Sequence, residues 1–275
     1  MAVRIVTDSS SCLPEHVAAE LDITVVDLHV IHSGADRSTA GLNALELVAC
    51  YARQLERGGD AGVVALHISK ELSATWSNAV TAAGVFDGGV RVVDTNSVGM
   101  SLGKAAIAAA ECARDGGDIE ACAEAAVGVL DRSETWLYVH RIDELRKSGR
   151  LSAATALMST ALATKPIMHL NDGRLEVVGK TRTQAKAFTK IVEIVNTTLG
   201  DAPATITLQQ HEAREAARRL RSMLVTALGY EDPEAIEIVA MEQVLAVHSG
   251  PGAVAVTVVR DAEATGEIAS ASKTD

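Results

Sequence analysis

The chain has 275 residues, 48% of them hydrophobic but only 3% aromatic, and a net charge of −11 at pH 7. That length and apolar content suit two globular domains with aliphatic cores. The acidic balance argues against nucleic acid as a main partner and against adsorption to an anionic membrane, because no basic excess is available to displace counterions.

In chain order, Val3 to Val6 predicts a short strand, Pro14 to Leu21 a helix, and Ile23 to His29 a second strand. Asn43 with Glu46 has the spacing of a capping box and opens a helix that runs to Gly58. The apolar run Val64 to Ile68 reads as the next strand, followed by its helix, then by a strand at Val90 to Val93. An Ala-rich helix follows from Ser97, closed by Gly116-Gly117, and Asp118 caps another that reaches Leu130. Strands alternating with helices in this way indicate a parallel sheet covered on both faces.

The second half changes character. Trp136 to Val139 reads as a strand, "RIDELRKSG" as a polar helix, and two short strands flank the turn "NDGR". A helix at Gln184 to Leu199, a strand at Thr205 to Leu208 and a helix at Glu212 to Leu228 come next. Strands at Ile236 to Met241 and Val254 to Val259 complete the chain, with "HSGPG" as the turn before the last. The expected fold class is α/β in two domains: an N-terminal parallel-sheet α/β/α domain at 1–133 and a C-terminal mixed α+β domain at 134–275.

Cys12, Cys50, Cys112 and Cys122 form no C-x-x-C pair and no zinc spacing, so they read as reduced thiols in or near the core. The start, "MAVRIVTDSS", has no apolar signal core, and the run from Leu151 to Met168 is broken by Ser, Thr and Lys. No transmembrane segment, no metal and no cofactor are expected, and the expected location is cytoplasmic.

Three strands of the first half end in hydroxyls and carboxylates: Thr7-Asp8-Ser9-Ser10-Ser11, then Ser69 and Ser73, then Asp94-Thr95-Asn96-Ser97. In open α/β sheets ligands gather beyond the carboxyl ends of the strands, where helix N-termini also direct free amides. Each tip alone reads equally as a helix cap. Together they predict a shared polar site without the glycine arch of a phosphate loop. A nucleophilic Ser69 or Ser73, as in a serine hydrolase or acyl transferase, is the alternative, with His67 or His248 as base. On a straight strand His67 and Ser69 share one face. No G-x-S-x-G elbow accompanies them, and the Asp residues are too scattered for a metal-dependent phosphatase.

Taken together, "VTDSSSCLP", "HISKELSATWSNA", "VVDTNSVGMSLG", the long stretch from "DELRKSGRLSAATALMS" to "GKTRT", and "HSGPG" resemble the DegV family of fatty-acid-binding proteins, in the family's order and over nearly the whole chain. The resemblance implies a long-chain, palmitate-like fatty acid in a tunnel between two domains. It implies that Ser73, the Ala74 amide, Thr39 and His248 meet the carboxylate. It also implies a non-catalytic role as the lipid-presenting subunit of a bacterial fatty acid kinase that feeds phospholipid metabolism. A separate ATP-binding subunit then phosphorylates the carboxylate. Arg150, Lys165 and Arg182 fall on the family's basic positions and are expected to face the kinase or its phosphate. Leu157, Met158 and Leu162 are expected to line the tunnel.

Such a carboxylate must be held yet remain a phosphate acceptor. Neutral hydroxyl donors suit that better than a bidentate Arg, which masks both oxygens. The chain departs from the family in a shortened segment around residues 30–45, where Thr39 is the best surviving threonine. Lys70-Glu71 stands for the usual Ser-Gly, Ala74 for Gly, and His140-Arg141 for Asp-Thr.

Overall fold

The computed structural model describes residues 2–33, 36–151 and 164–262. Leu157, Met158 and Leu162 lie outside them.

The first domain is built from β1 (Arg4–Asp8), α1 (Glu15–Glu20), β2 (Thr24–Val26), β3 (His29–Ser33), β4 (Asp36–Ala40), α2 (Ala44–Gly58), β5 (Val63–Leu66), α3 (Thr75–Ala83), β6 (Val90–Val93), α4 (Met100–Arg114) and α5 (Ile119–Asp131). Strands β2-β1-β5-β6 form one parallel sheet. Its strands are apolar on both faces, as burial between two helical layers requires. Ile5, Val64, Leu66 and Val93 pack on α4 and α5, while Val6, Val63, Ala65 and Val90 pack on α2 and α3. The capping box at Asn43 and Glu46 forms as expected, and Asp118 caps α5 by accepting from the Ala121 amide.

The chain then enters a second sheet through β7 (Ser133–Tyr138), followed by α6 (Asp143–Ser148), β8 (Lys165–Asn171), β9 (Arg174–Thr181), α7 (Gln184–Leu199), β10 (Ala204–His211), α8 (Arg214–Leu228), β11 (Glu237–Ala240), α9 (Gln243–Ser249) and β12 (Ala253–Arg260). Its order is β11-β10-β12-β7-β8-β9, antiparallel except for the β10–β11 pair. One face buries Trp136, Tyr138, Ile206, Leu208, Val254 and Val256 under α7 and α8. The other turns Leu137, Val139, Met168, Ala253 and Ala255 toward Cys12 and Met100 of the first domain. The two-domain α/β architecture is the expected one.

Two elements differ from the sequence reading. The strand expected at Ile23 to His29 stops at Val26, because buried Leu28 turns in and its amide donates to Ser9 Oγ at 3.0 Å. The chain restarts as a separate two-stranded ribbon, β3–β4, which pairs Val30 with Thr39. The turn expected around "HSGPG" is preceded by a helix, α9, whose Val244 joins the first domain's cluster of Val6, Leu28 and Tyr51.

Polar contacts also cross the seam. The Met100 amide donates to Gln209 Oε1 at 2.9 Å, and the Glu242 amide to Cys12 Sγ at 3.4 Å. The β8–β9 hairpin tip meets the loop after β5, where Arg174 pairs with Glu71 at 2.6 Å and Ser69 Oγ donates to the Gly173 carbonyl at 3.0 Å. Gly173 has φ +75°, and a Cβ there would sit 2.3 Å from Ser69 Oγ, so only glycine fits this approach. All four cysteines are free thiols. Among the described residues no helix is long and apolar enough to cross a membrane.

Candidate functional site

The strand tips are organised by one buried carboxylate. Asp8 Oδ1 accepts from the Ser10 amide at 3.0 Å and from Ser10 Oγ at 2.5 Å. Its Oδ2 accepts from the Ile68 amide at 2.9 Å and lies 3.1 Å from His67 Nδ1. His67 Nε2 in turn lies 2.8 Å from the Tyr51 hydroxyl, and the His67 carbonyl accepts from Thr95 Oγ1 at 2.6 Å. Asp8, His67 and Tyr51 are fully buried. A carboxylate out of water requires this many partners, and it joins all three tips in one network.

This geometry corrects the expectation that His67 and Ser69 share a face. Strand β5 ends at Leu66, so strand alternation does not extend to residues 67–69. His67 turns inward to Asp8 and Tyr51, while Ser69 turns out to Gly173. Among the described residues, no hydrogen bond of Ser69 or Ser73 reaches a histidine.

Ser73 precedes α3. Its Oγ accepts from the Thr75 amide at 3.2 Å and pairs with Thr75 Oγ1 at 2.9 Å, which also accepts from the Leu42 amide at 3.2 Å. Gly41 passes so close that a Cβ there would sit 2.7 Å from Thr75 Oγ1 and 2.8 Å from Ser73 Oγ. The ribbon strand β4 brings Thr39 Oγ1 to 2.7 Å from Nε2 of His248, in the last turn of α9.

Burial pushes the His248 imidazole down to about 4, with the nearby Arg150 guanidinium as the second cause. It is therefore neutral at pH 7. The Arg150 guanidinium donates to the Leu72 carbonyl at 3.4 Å and to the Ser148 carbonyl.

Thr39, Gly41, Ser73, Arg150 and His248 border one cavity between the domains. The rest of its wall is chiefly aliphatic, including Leu28, Ile68, Leu72, Leu137, Leu175 and Leu245, with Thr135, Gln209 and Ser249 as further polar members. Arg150 and His248 also border an outer groove with Arg37, Lys147 and His211. The remaining expected site residues lie elsewhere. Ala74 is exposed beside Ser73 and is not on the cavity wall. Lys165 Nζ donates to the His140 carbonyl at 2.8 Å and faces His140 Nε2 at 3.1 Å. Arg182 is exposed at the end of β9.

Sequence reasoning missed Gly41, although a glycine between Thr39 and the capping Asn43 was the available signal. Arg150, expected to face the kinase or its phosphate, borders both the cavity and the outer groove.

The His248 shift has a measurable consequence. Its folded value lies below the ordinary 6.5. Between about pH 6.5 and 4 the unfolded chain therefore binds more protons at this site, and stability falls as pH falls through that window. In urea unfolding at a series of pH values, His248→Gln should lose this part of the slope and match wild type in shape above pH 7. An identical pH dependence for both proteins would rule out the buried neutral imidazole.

The profile of the family described as "Uncharacterised protein, DegV family" matches residues 36–261. A crystal structure of a DegV family protein from Corynebacterium glutamicum is similar over 95% of this chain and 99% of its own, with 58% identity and a TM-score of 0.92. A fatty-acid-binding DegV family protein from Streptococcus agalactiae is 26% identical over 95% of this chain and all of its own, at a TM-score of 0.85. A DegV family protein from Thermus thermophilus, described for its fatty acid binding, is also 26% identical over 95% of this chain and all of its own, at 0.86. The chain belongs to the DegV family.

Proposed function

We propose that this protein holds a long-chain fatty acid between its domains, with the acyl chain in the cavity and the carboxylate at Thr39, Ser73 and His248. One observation carries the reading: an aliphatic cavity at the domain seam has hydroxyl and imidazole groups from three separate segments gathered on its wall. The fatty-acid-binding relatives from Streptococcus agalactiae and Thermus thermophilus support it. The engagement of Ser69 and His67 with other partners favours binding over covalent catalysis.

Neutral donors hold a carboxylate without neutralising it. The guanidinium of Arg150, engaged by two carbonyls, contributes a positive field rather than a bidentate clamp. Burying a methylene is worth about 0.8 kcal/mol, so roughly fourteen of them offer about 11 kcal/mol before ordering costs. We further propose that the acid is presented through the groove bordered by Arg37, Lys147 and Arg150 to an ATP-dependent kinase subunit that forms the acyl phosphate.

Mass spectrometry of organic extracts from protein purified out of a bacterial host tests the first step. About one long-chain acid per chain is expected, and none above the background of a control protein would overturn the reading. For the second step, loaded protein mixed with a cognate ATP-binding subunit should yield acyl phosphate. Arg150→Ala should lower that rate more than it lowers lipid affinity, and equal losses would assign Arg150 to the pocket alone.

A further inference from the structure

The second sheet presents its residues to the cavity side in rungs, and one rung differs from its neighbours. Across β10, β12 and β7, Gln209, Ala255 and Leu137 stand side by side. On the next rung of the same face stand Thr207, Thr257 and Thr135, only 1%, 1% and 8% exposed. Direction along the sheet is fixed by β12, which begins at Ala253 just after His248 and α9. Thr257 is thus four residues further from the His248 end, roughly 14 Å at strand rise.

Of the three threonines only Thr135 borders the cavity, beside Leu137 and Leu170. Its Oγ1 pairs with Thr257 Oγ1 at 3.0 Å and with Ser101 Oγ of α4 at 3.4 Å, and Ser101 pairs with Ser97 Oγ at 2.6 Å. A relay of four buried hydroxyls therefore lies behind one point of the cavity wall.

We infer that Thr135 is the end stop of the cavity and sets the length of the acyl chain it accepts. This rests on the fatty-acid reading above. The hydroxyls of the relay satisfy one another, so the row has no need of a polar group on the ligand. A chain pushed past Thr135 breaks the Thr135–Ser101 and Thr135–Thr257 bonds and leaves buried hydroxyls unpaired. That costs more than an added methylene returns. Gln209, the other polar residue that β7, β10 and β12 present to the cavity, is held by the Met100 amide. The methyl terminus accordingly rests on Thr135, while the carboxylate lies at the His248 end.

The test is an affinity profile over saturated acids that differ by two carbons. Thr135→Ala should favour the acid two carbons longer than the wild-type optimum by about fifteenfold, at about fourfold per methylene. Thr135→Leu should move the optimum the other way. Thr135→Ser keeps the hydroxyl and the relay while removing one methyl, so it serves if the alanine variant does not fold; a gain of about fourfold for the longer acid is expected. Thr207→Ser, in the same row but off the cavity, should keep the wild-type profile. An unchanged optimum in Thr135 variants that still bind acid overturns the end stop alone. Failure of the wild-type protein to bind any acid overturns the fatty-acid reading and the end stop with it.

Discussion

Asp8→Ala should destabilise the folded chain by about 3–5 kcal/mol, among the largest effects open to a single substitution here. The carboxylate is fully buried and serves the Ser10 amide and hydroxyl, the Ile68 amide and the His67 ring. Deleting it leaves these groups facing a cavity with no alternative partner, and an unmade buried hydrogen bond costs more than a made one contributes. Tyr51→Phe removes only one neutral contact at the far end of the same network and should cost about 1 kcal/mol. Denaturant unfolding of the two variants beside wild type decides the matter. If Asp8→Ala proves no worse than Tyr51→Phe, Asp8 is not the organiser of the strand tips.

That hub explains why the tips were legible in the sequence while their wiring was not. Polar residues directly after apolar runs mark the carboxyl ends of strands, and Thr7-Asp8-Ser9, Ser69 and Thr95 all stand there. Which of them faces inward depends on how each chain leaves its strand. His67 and Ser69 part company because β5 stops at Leu66, a boundary that a run of apolar residues does not reveal. The β3–β4 ribbon was invisible for a different reason. Ile31, His32, Arg37 and Ser38 are all exposed, so no buried face imposes an alternation to read.

Helix α9 is seven residues long, and its few inward residues, Val244 and Ala246 among them, were outweighed by the turn chemistry of Gly250-Pro251-Gly252 beyond it. Arg150 follows Gly149, which ends α6 in the left-handed conformation at φ +68°. That reversal brings a charged side chain to the cavity wall, a placement that its match to the family's basic position does not reveal.

The head-group contact gives the sharpest separation between holding a carboxylate and attacking an ester. Ser73→Ala removes one donor to a charged acceptor, worth about 1.5–3 kcal/mol, so acid affinity should weaken by roughly ten- to a hundredfold. The aliphatic wall is untouched, and the chain should still bind. A fatty alcohol of equal length probes the same contact from the ligand side. It should bind wild type less well than the acid, and Ser73→Ala should narrow that gap. Gly41→Ala reaches the same hydroxyl pair from the opposite wall, because its Cβ would press on both Ser73 Oγ and Thr75 Oγ1. It too should reduce the preference for acid over alcohol while leaving alcohol affinity nearly unchanged. A nucleophilic Ser73 makes the opposite demand: Ser73→Ala would abolish turnover of a p-nitrophenyl ester and leave the acid–alcohol difference intact. A folded Ser73→Ala protein with the full wild-type preference for acid would remove Ser73 from the carboxylate site.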